Sequence, residues 1–333
     1  MAGLQNLLIP AVLFFALGYI AKLVRSDLKF PPDMAKALSI YLLVAIGLHG
    51  GHELAKADLV IAMKSILVAL GMGFFLPLAA YRILMMSAKM DRLNAAAISA
   101  HYGSVSAGTF LTAVAFLDSA QISYESYPVI MLAVMESPAI IVGLLLAAWA
   151  RKQEGDQAQR ESNGQNGNGH LSEILRDAFT NGSVVLLIGA MVIGAVAKPS
   201  AFDKVIPFID EIFMGVLCLF LLEMGLEAGR RANEFKRVGG FLVGFGIGMP
   251  LLGGAVGVIA GAMLLDFSVG GTVLVAVLGA SASYIAVPPA MRLAVPEANP
   301  SYYLTLALGV TFPFNVIVGI PLYQWMAERL MSA

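Results

Sequence analysis

HYGSVSAGT at His101–Thr109 and GASASYIAVPPA at Gly279–Ala290 decide how this chain folds. Each run sits inside a long apolar block. Each is small and hydroxylated, so its backbone unwinds easily, and Pro288 and Pro289 cannot continue a helix through the residues before them. The blocks around them have a length that matters: a bilayer core takes about 20 mostly apolar residues per helix, because every backbone polar group must be satisfied within the helix. Ten blocks qualify or come close. They run Leu4–Ala21, Ala35–Gly50, Leu59–Met86, Leu93–Leu117 and Tyr127–Ala150, then Ala178–Ala197, Ile206–Gly225, Phe241–Leu265, Val269–Leu293 and Tyr302–Met326.

Composition agrees. Of 333 residues, 59% are hydrophobic and 13% charged, against about 25% charged in soluble domains, and the mean hydropathy is +0.81. These values exclude a soluble enzyme, a disordered tail and a disulfide scaffold. Cys218 is the only cysteine, and no Cys/His cluster has metal-ligand spacing. A net charge of −1 offers no basic footprint for nucleic acid. The expected class is an all-α polytopic membrane protein of ten spans. The first block reads as a retained span rather than a signal peptide, since no basic residue precedes it and Lys22, Arg25 and Lys29 follow it.

Between the fifth and sixth blocks lies QEGDQAQRESNGQNGNGH, rich in Gly, Asn, Gln and charge, which reads as a mobile linker. The expected organisation is a five-span repeat over 1–150, a polar linker over 151–175, and a second five-span repeat over 176–333. With the N-terminus outside, sixteen Lys and Arg fall on cytoplasmic segments and five outside. The positive-inside rule therefore places both termini outside and the linker in the cytoplasm.

An odd number of spans per half requires similar halves to lie inverted. AIGLHGG (Ala45–Gly51) matches EMGLEAG (Glu223–Gly229), and GMGFFLP (Gly71–Pro77) matches GIGMP (Gly246–Pro250). Tyr124 answers Tyr303 and Pro138 answers Pro313, all at offsets of 173–179 residues and in the same order. Inverted repeats are the usual skeleton of secondary transporters, with substrate held at mid-membrane between the halves. The two small-residue runs occupy corresponding places. Broken there, they would bring half-helix N-termini together, with free N–H groups suited to a small anion. Close helix packing is the other use of such residues, and composition alone leaves both open.

Glu136 lies well inside the fifth span, where a carboxylate costs about 2.5–3.5 kcal/mol unless it meets a cavity or a cation. With Ser137, Ser281, Asn315 and freed carbonyls it offers the oxygen ligands of a hard cation such as Na⁺; a buried structural carboxyl is the alternative. Glu223 is a second candidate, while Glu227 is expected to meet Arg230 and Arg231. His101 reads as a satisfied hydrogen-bonder, and Lys64 lies close enough to the outer surface to snorkel. His52-Glu53 fails the HExxH pattern because residue 56 is lysine, and no GxxxxGK[ST] loop exists. Neither a catalytic nucleophile nor a cofactor site is expected.

IGLHGG (Ile46–Gly51), YGSVSAGT (Tyr102–Thr109), ISYESY (Ile122–Tyr127), MESPAIIV (Met135–Val142), EMGLEAGRR (Glu223–Arg231), VPPAMRLAVPEANPS (Val287–Ser301) and the Phe312–Pro321 stretch together resemble the SbtA-type sodium-dependent bicarbonate transporters over nearly the whole chain. The resemblance implies a core and a gate domain, a homotrimer in the bacterial inner membrane, and Na⁺/HCO₃⁻ symport. It further implies a possible cytoplasmic PII-like regulatory partner. It places the anion around Ser104, Ser106, Ala107, Gly108 and Thr109 on one side and Ser283, Tyr284, Ile285 and Ala286 on the other. The family's aspartate in the fifth span falls on Glu136. Two departures stand out: where the family reads roughly VSGST this chain has VSAGT, and where it reads roughly SSDIS an acidic residue has become Tyr284 and a serine Ala286. A different small anion, including an organic one, and a transport-inactive membrane partner of a PII-like protein are the competing functions.

Overall fold

The computed structural model describes residues 10–31, 33–55, 58–86, 90–158, 182–231, 235–284 and 287–332. The described residues form helices and no strands. In chain order these are α1 (Pro10–Leu23), α2 (Met34–Leu54), α3 (Leu59–Met85), α4 (Arg92–Gly103), α5 (Ala107–Ser119), α6 (Tyr127–Ala158), α7 (Gly182–Val196), the single turn α8 (Pro199–Phe202), α9 (Phe213–Arg231), α10 (Phe235–Ile259), α11 (Val269–Ala280), α12 (Val287–Ala294) and α13 (Pro300–Met331). A π-helical turn, Pro207–Glu211, leads into α9, and another, Ala260–Leu264, extends α10.

Among the described residues, six helical stretches are long and apolar enough to cross a membrane, and α1 and α11 are shorter apolar helices. Leu59, Leu67 and Phe75 stand exposed along α3, as lipid-facing residues would. The second block is longer than its apolar run, since α2 continues through His52 and Glu53 to Leu54. Helix α6 runs on to Ala158, past the expected end at Ala150, because the Lys, Gln and Glu that follow are good helix formers. The expected linker lies mostly outside the described residues, as do Ile285 and Ala286.

The helices pack in two groups. In the first, α1 lies against α9, α2 against α7, and α9 also touches α2. Glycines set these approaches. A methyl at Gly18 would stand 2.1 Å from the carbonyl oxygen of Leu222, and one at Gly194 2.2 Å from that of Leu48. In the second group α3, α4 and α6 pack mutually, as do α10, α11 and α13. Its two ends are tied by side chains. Asn94 Oδ1 accepts from the backbone N–H of Asn299 at 2.7 Å, and Arg151 donates to the carbonyl of Ala294 at 2.8 Å. At the other end the Glu125 carboxylate accepts from the backbone N–H and the hydroxyl of Ser268, at 2.8 and 3.0 Å.

Candidate functional site

Helix α4 stops at Gly103 and α5 begins at Ala107; α11 stops at Ala280 and α12 begins at Val287. The chain is extended at Ser104, Ser106 and Ser281. Small side chains permit this, and hydroxyls then cap the new helix ends: Ser106 Oγ accepts from the N–H of Thr109 at 3.1 Å, and Ser283 Oγ from that of Val287 at 3.4 Å. The breaks also bind each other. The N–H of Ser106 donates to Ser281 Oγ at 3.0 Å, and the N–H of Ser283 donates to the carbonyl of His101 at 2.8 Å. Both pairs are buried, so the start of α5 meets the end of α11, and the segment leaving α11 meets the end of α4.

At α5 the first-turn N–H groups of Ala107 and Gly108 have no intrahelical acceptor. Tyr284 lies against Gly108: its hydroxyl would be 2.3 Å from a methyl placed there, and the ring of Phe220 2.9 Å. Phe312 meets Tyr284 edge-on at 5.5 Å and Phe15 at 5.4 Å, enclosing the spot in aromatic rings. Four buried polar atoms around the breaks find no protein partner: His101 Nε2, Ser104 Oγ, Glu223 Oε2 and Tyr284 Oη. Such atoms are costly unless something fills the space beside them.

Two networks brace the breaks from behind. Pro250 has no N–H, so the carbonyl of Gly246 one turn earlier loses its helical donor; Thr311 Oγ1 supplies one at 2.7 Å. That donation leaves Thr311 Oγ1 to accept from Tyr102 Oη at 2.6 Å. Next to it, Asn315 Nδ2 donates to the carbonyl of Ala280 at 2.8 Å while its Oδ1 accepts from Tyr323 Oη at 2.9 Å. Asn315 thus braces the end of α11 with one N–H and one oxygen lone pair. Ser281 is also engaged on both sides, since its hydroxyl donates to the carbonyl of Leu278 at 3.1 Å.

Glu136 is half-buried on α6 and forms no hydrogen bond or ion pair among the described residues. Its depth follows from its neighbours. A methyl on Gly73 would be 3.1 Å from Pro138 Cβ and 3.6 Å from the carbonyl of Met135, and Met72 reaches Gly279 at the second break. Pro77, one turn from Gly73, packs on Gly103 at the first break. Glu136 thus lies level with both breaks without touching Ser281 or Asn315. Glu223 is on the opposite side, on α9.

A cavity of about 310 Å³ opens between the two helix groups along α5. Phe110 and Val114 line its depth, and His49, Asp118, Tyr124 and Asp210 ring its mouth. His49 Nδ1 is 3.5 Å from Asp210, and Tyr124 Oη donates to Asp118 at 3.0 Å. Tyr41 fixes the π-helical turn carrying Asp210 by donating to the carbonyl of Phe208. Burial, reinforced by the Asp118 charge, raises the pKa of Tyr124 and keeps it a neutral donor. Sequence reasoning missed this mouth; the only signal was charge at the ends of apolar blocks.

Described residues that are all helical, with two hydrogen-bonded helix breaks, unpaired buried polar atoms beside them and a cavity leading along α5, fit a membrane transporter. The sequence profile of the Na⁺-dependent bicarbonate transporter superfamily matches residues 10–328, and the chain belongs to that family. It is a family of transporters rather than enzymes, and its members depend on Na⁺. No individual curated protein matches the chain.

Proposed function

We propose that the protein is a Na⁺-coupled symporter of a small inorganic anion, bicarbonate, working by alternating access. The observation that carries this reading is the mutual hydrogen bonding of the two breaks, Ser106 to Ser281 and Ser283 to His101. The anion is held at the start of α5 by the N–H groups of Ala107 and Gly108, the hydroxyl of Ser104 and that of Tyr284, with Ser106, Thr109 and Ser283 shaping the turn. The N-terminal dipole of α5 favours a negative charge there without a basic side chain. The ring enclosure by Phe15, Phe220, Tyr284 and Phe312 supports an anion of few atoms over a larger organic one.

Na⁺ is held at Glu136. Pro77 lacks an N–H, so the carbonyl of Gly73 has no helical donor, and Gly73 packs against the turn that carries Glu136. The corresponding place in the second half is Gly246, Pro250 and Thr311, where a hydroxyl already satisfies the carbonyl. In the first half a carboxylate and a carbonyl remain, which is an oxygen site for a hard cation.

The packing supports ten spans as two inverted five-span repeats over 1–150 and 176–333. Exchanging the halves turns the α1–α9 contact into the α7–α2 contact, and the Gly18–Leu222 approach into Gly194–Leu48. The group α1, α2, α7 and α9 is then the gate and the remainder the core. With both termini outside, the mouth at His49 and Asp210 faces the exterior of the inner membrane. A trimer and a PII-like cytoplasmic partner remain expectations of the family resemblance.

Replacing Glu136 with Gln tests the coupling site: labelled-bicarbonate uptake by E136Q should lose its stimulation by Na⁺. Uptake and Na⁺ dependence equal to those of the native protein would refute the assignment.

A further inference from the structure

We infer that Glu223 and Tyr284 form a second monovalent-cation site on the boundary between the two helix groups, separate from Glu136, in which the Tyr284 hydroxyl joins the cation to the anion at the start of α5. The inference rests on the proposed function and deepens it.

Two of the four unpartnered buried atoms belong to these residues. Glu223 Oε2 is shielded from solvent and accepts from no donor, and Tyr284, only 8% exposed, has a hydroxyl in the same condition. Phe220 and Tyr284 both press on Gly108, and Glu223 follows Phe220 by three residues, on the same face of α9. The charge of Glu223 acts on the Tyr284 hydroxyl, yet the two are not hydrogen-bonded. Arg230, further along the helix, is paired with Glu227 at 3.0 Å.

A carboxylate oxygen and a phenol oxygen with a gap between them suit a small alkali cation, which binds oxygen lone pairs and needs no proton from either. A cation there uses a lone pair of Tyr284 Oη and leaves its O–H free to donate. Ser106 Oγ is near this hydroxyl without making a close hydrogen bond, and an anion on the N–H groups of Ala107 and Gly108 is the stronger acceptor, because Tyr284 Oη lies against Gly108. One hydroxyl then touches both ions, each favouring the other. Because α9 belongs to one helix group and Tyr284 to the other, the cation also bridges the surfaces that must part in alternating access.

The test uses the purified full-length protein and its E223Q and Y284F variants, both close in shape to the native side chains. Thermal stabilisation by Na⁺, with choline as the control cation, is read in detergent. The Na⁺ concentration for half-maximal labelled-bicarbonate uptake and its cooperativity are read in proteoliposomes. Both variants should melt near the native temperature in choline, need about tenfold more Na⁺ or greater for half-maximal uptake, and lose cooperativity in Na⁺. Native Na⁺ response in E223Q and Y284F, alongside its loss in E136Q, would overturn the second site and leave the proposed function standing. A native protein with no response to Na⁺ would overturn both. Should E223Q not fold, Y284F with the same readouts decides.

Discussion

Ser281 Oγ caps the backbone N–H of Ser106 at 3.0 Å, so a side chain from one helix break completes the other. The bond spans 175 residues of sequence and is buried at both ends. It makes the two breaks a single structural unit, and the geometry of the proposed anion site depends on it.

Ser281→Ala leaves the N–H of Ser106 buried without an acceptor, a loss of about 1–3 kcal/mol. The variant should melt at lower temperature and bind the anion more weakly, whereas Ser281→Thr, which keeps the hydroxyl, should retain most of both. Melting curves with and without bicarbonate check this. An alanine variant as stable as the native protein would show that the bond contributes nothing.

Gly51→Ala should be severe. Its methyl would lie 1.9 Å from the carbonyl oxygen of Met191, which is backbone and cannot swing aside, so α2 and α7 must separate. A loss of more than about 2 kcal/mol is expected. Gly71→Ala is the matched control, since nothing lies within 4 Å of its new methyl; it should be neutral or gain up to about 1 kcal/mol from helix propensity. Detergent melting temperatures of the two variants should diverge in these directions.

Asn315 tests bracing against ligation. Asn315→Ala removes the donor to the Ala280 carbonyl and the acceptor for Tyr323. Stability should fall by about 1–3 kcal/mol while the Na⁺ dependence of the residual uptake stays native. A selective loss of Na⁺ dependence at unchanged stability would instead make Asn315 a ligand.

One surface pair sets a pH dependence. Arg151 contacts Glu297 at 2.7 Å, and this hydrogen bond holds the Glu297 pKa below the usual carboxylate range. A depressed folded value means the stabilisation is present above the unfolded carboxylate value and is lost as pH falls through the folded one. Both side chains are well exposed, so the contribution is small, about 0–1 kcal/mol. The native protein should exceed Glu297→Gln in melting temperature at neutral pH, and the gap should close in acid; a gap independent of pH would contradict this.

The breaks were legible because their cause is local: small hydroxylated runs and the Pro288–Pro289 pair weaken a helix wherever they stand. Glu136 was legible for the same reason, as a carboxylate amid apolar residues. What each residue bonds to was not. Asn315 reads as a cation ligand beside Pro313, but its bonds to Ala280 and Tyr323, 35 and 8 residues away, could not be read there. Likewise the Thr311–Tyr102 bond and the mouth formed by His49, Asp118 and Asp210 join segments that only the folded packing brings together.

The central claim is Na⁺-driven anion uptake. Its most direct test is accumulation of labelled bicarbonate in proteoliposomes at fixed pH, with and without an inward Na⁺ gradient. Accumulation that appears with the gradient and collapses when Na⁺ is equal on both sides is the predicted result. Equal uptake under both conditions, in protein shown to be folded, would contradict it.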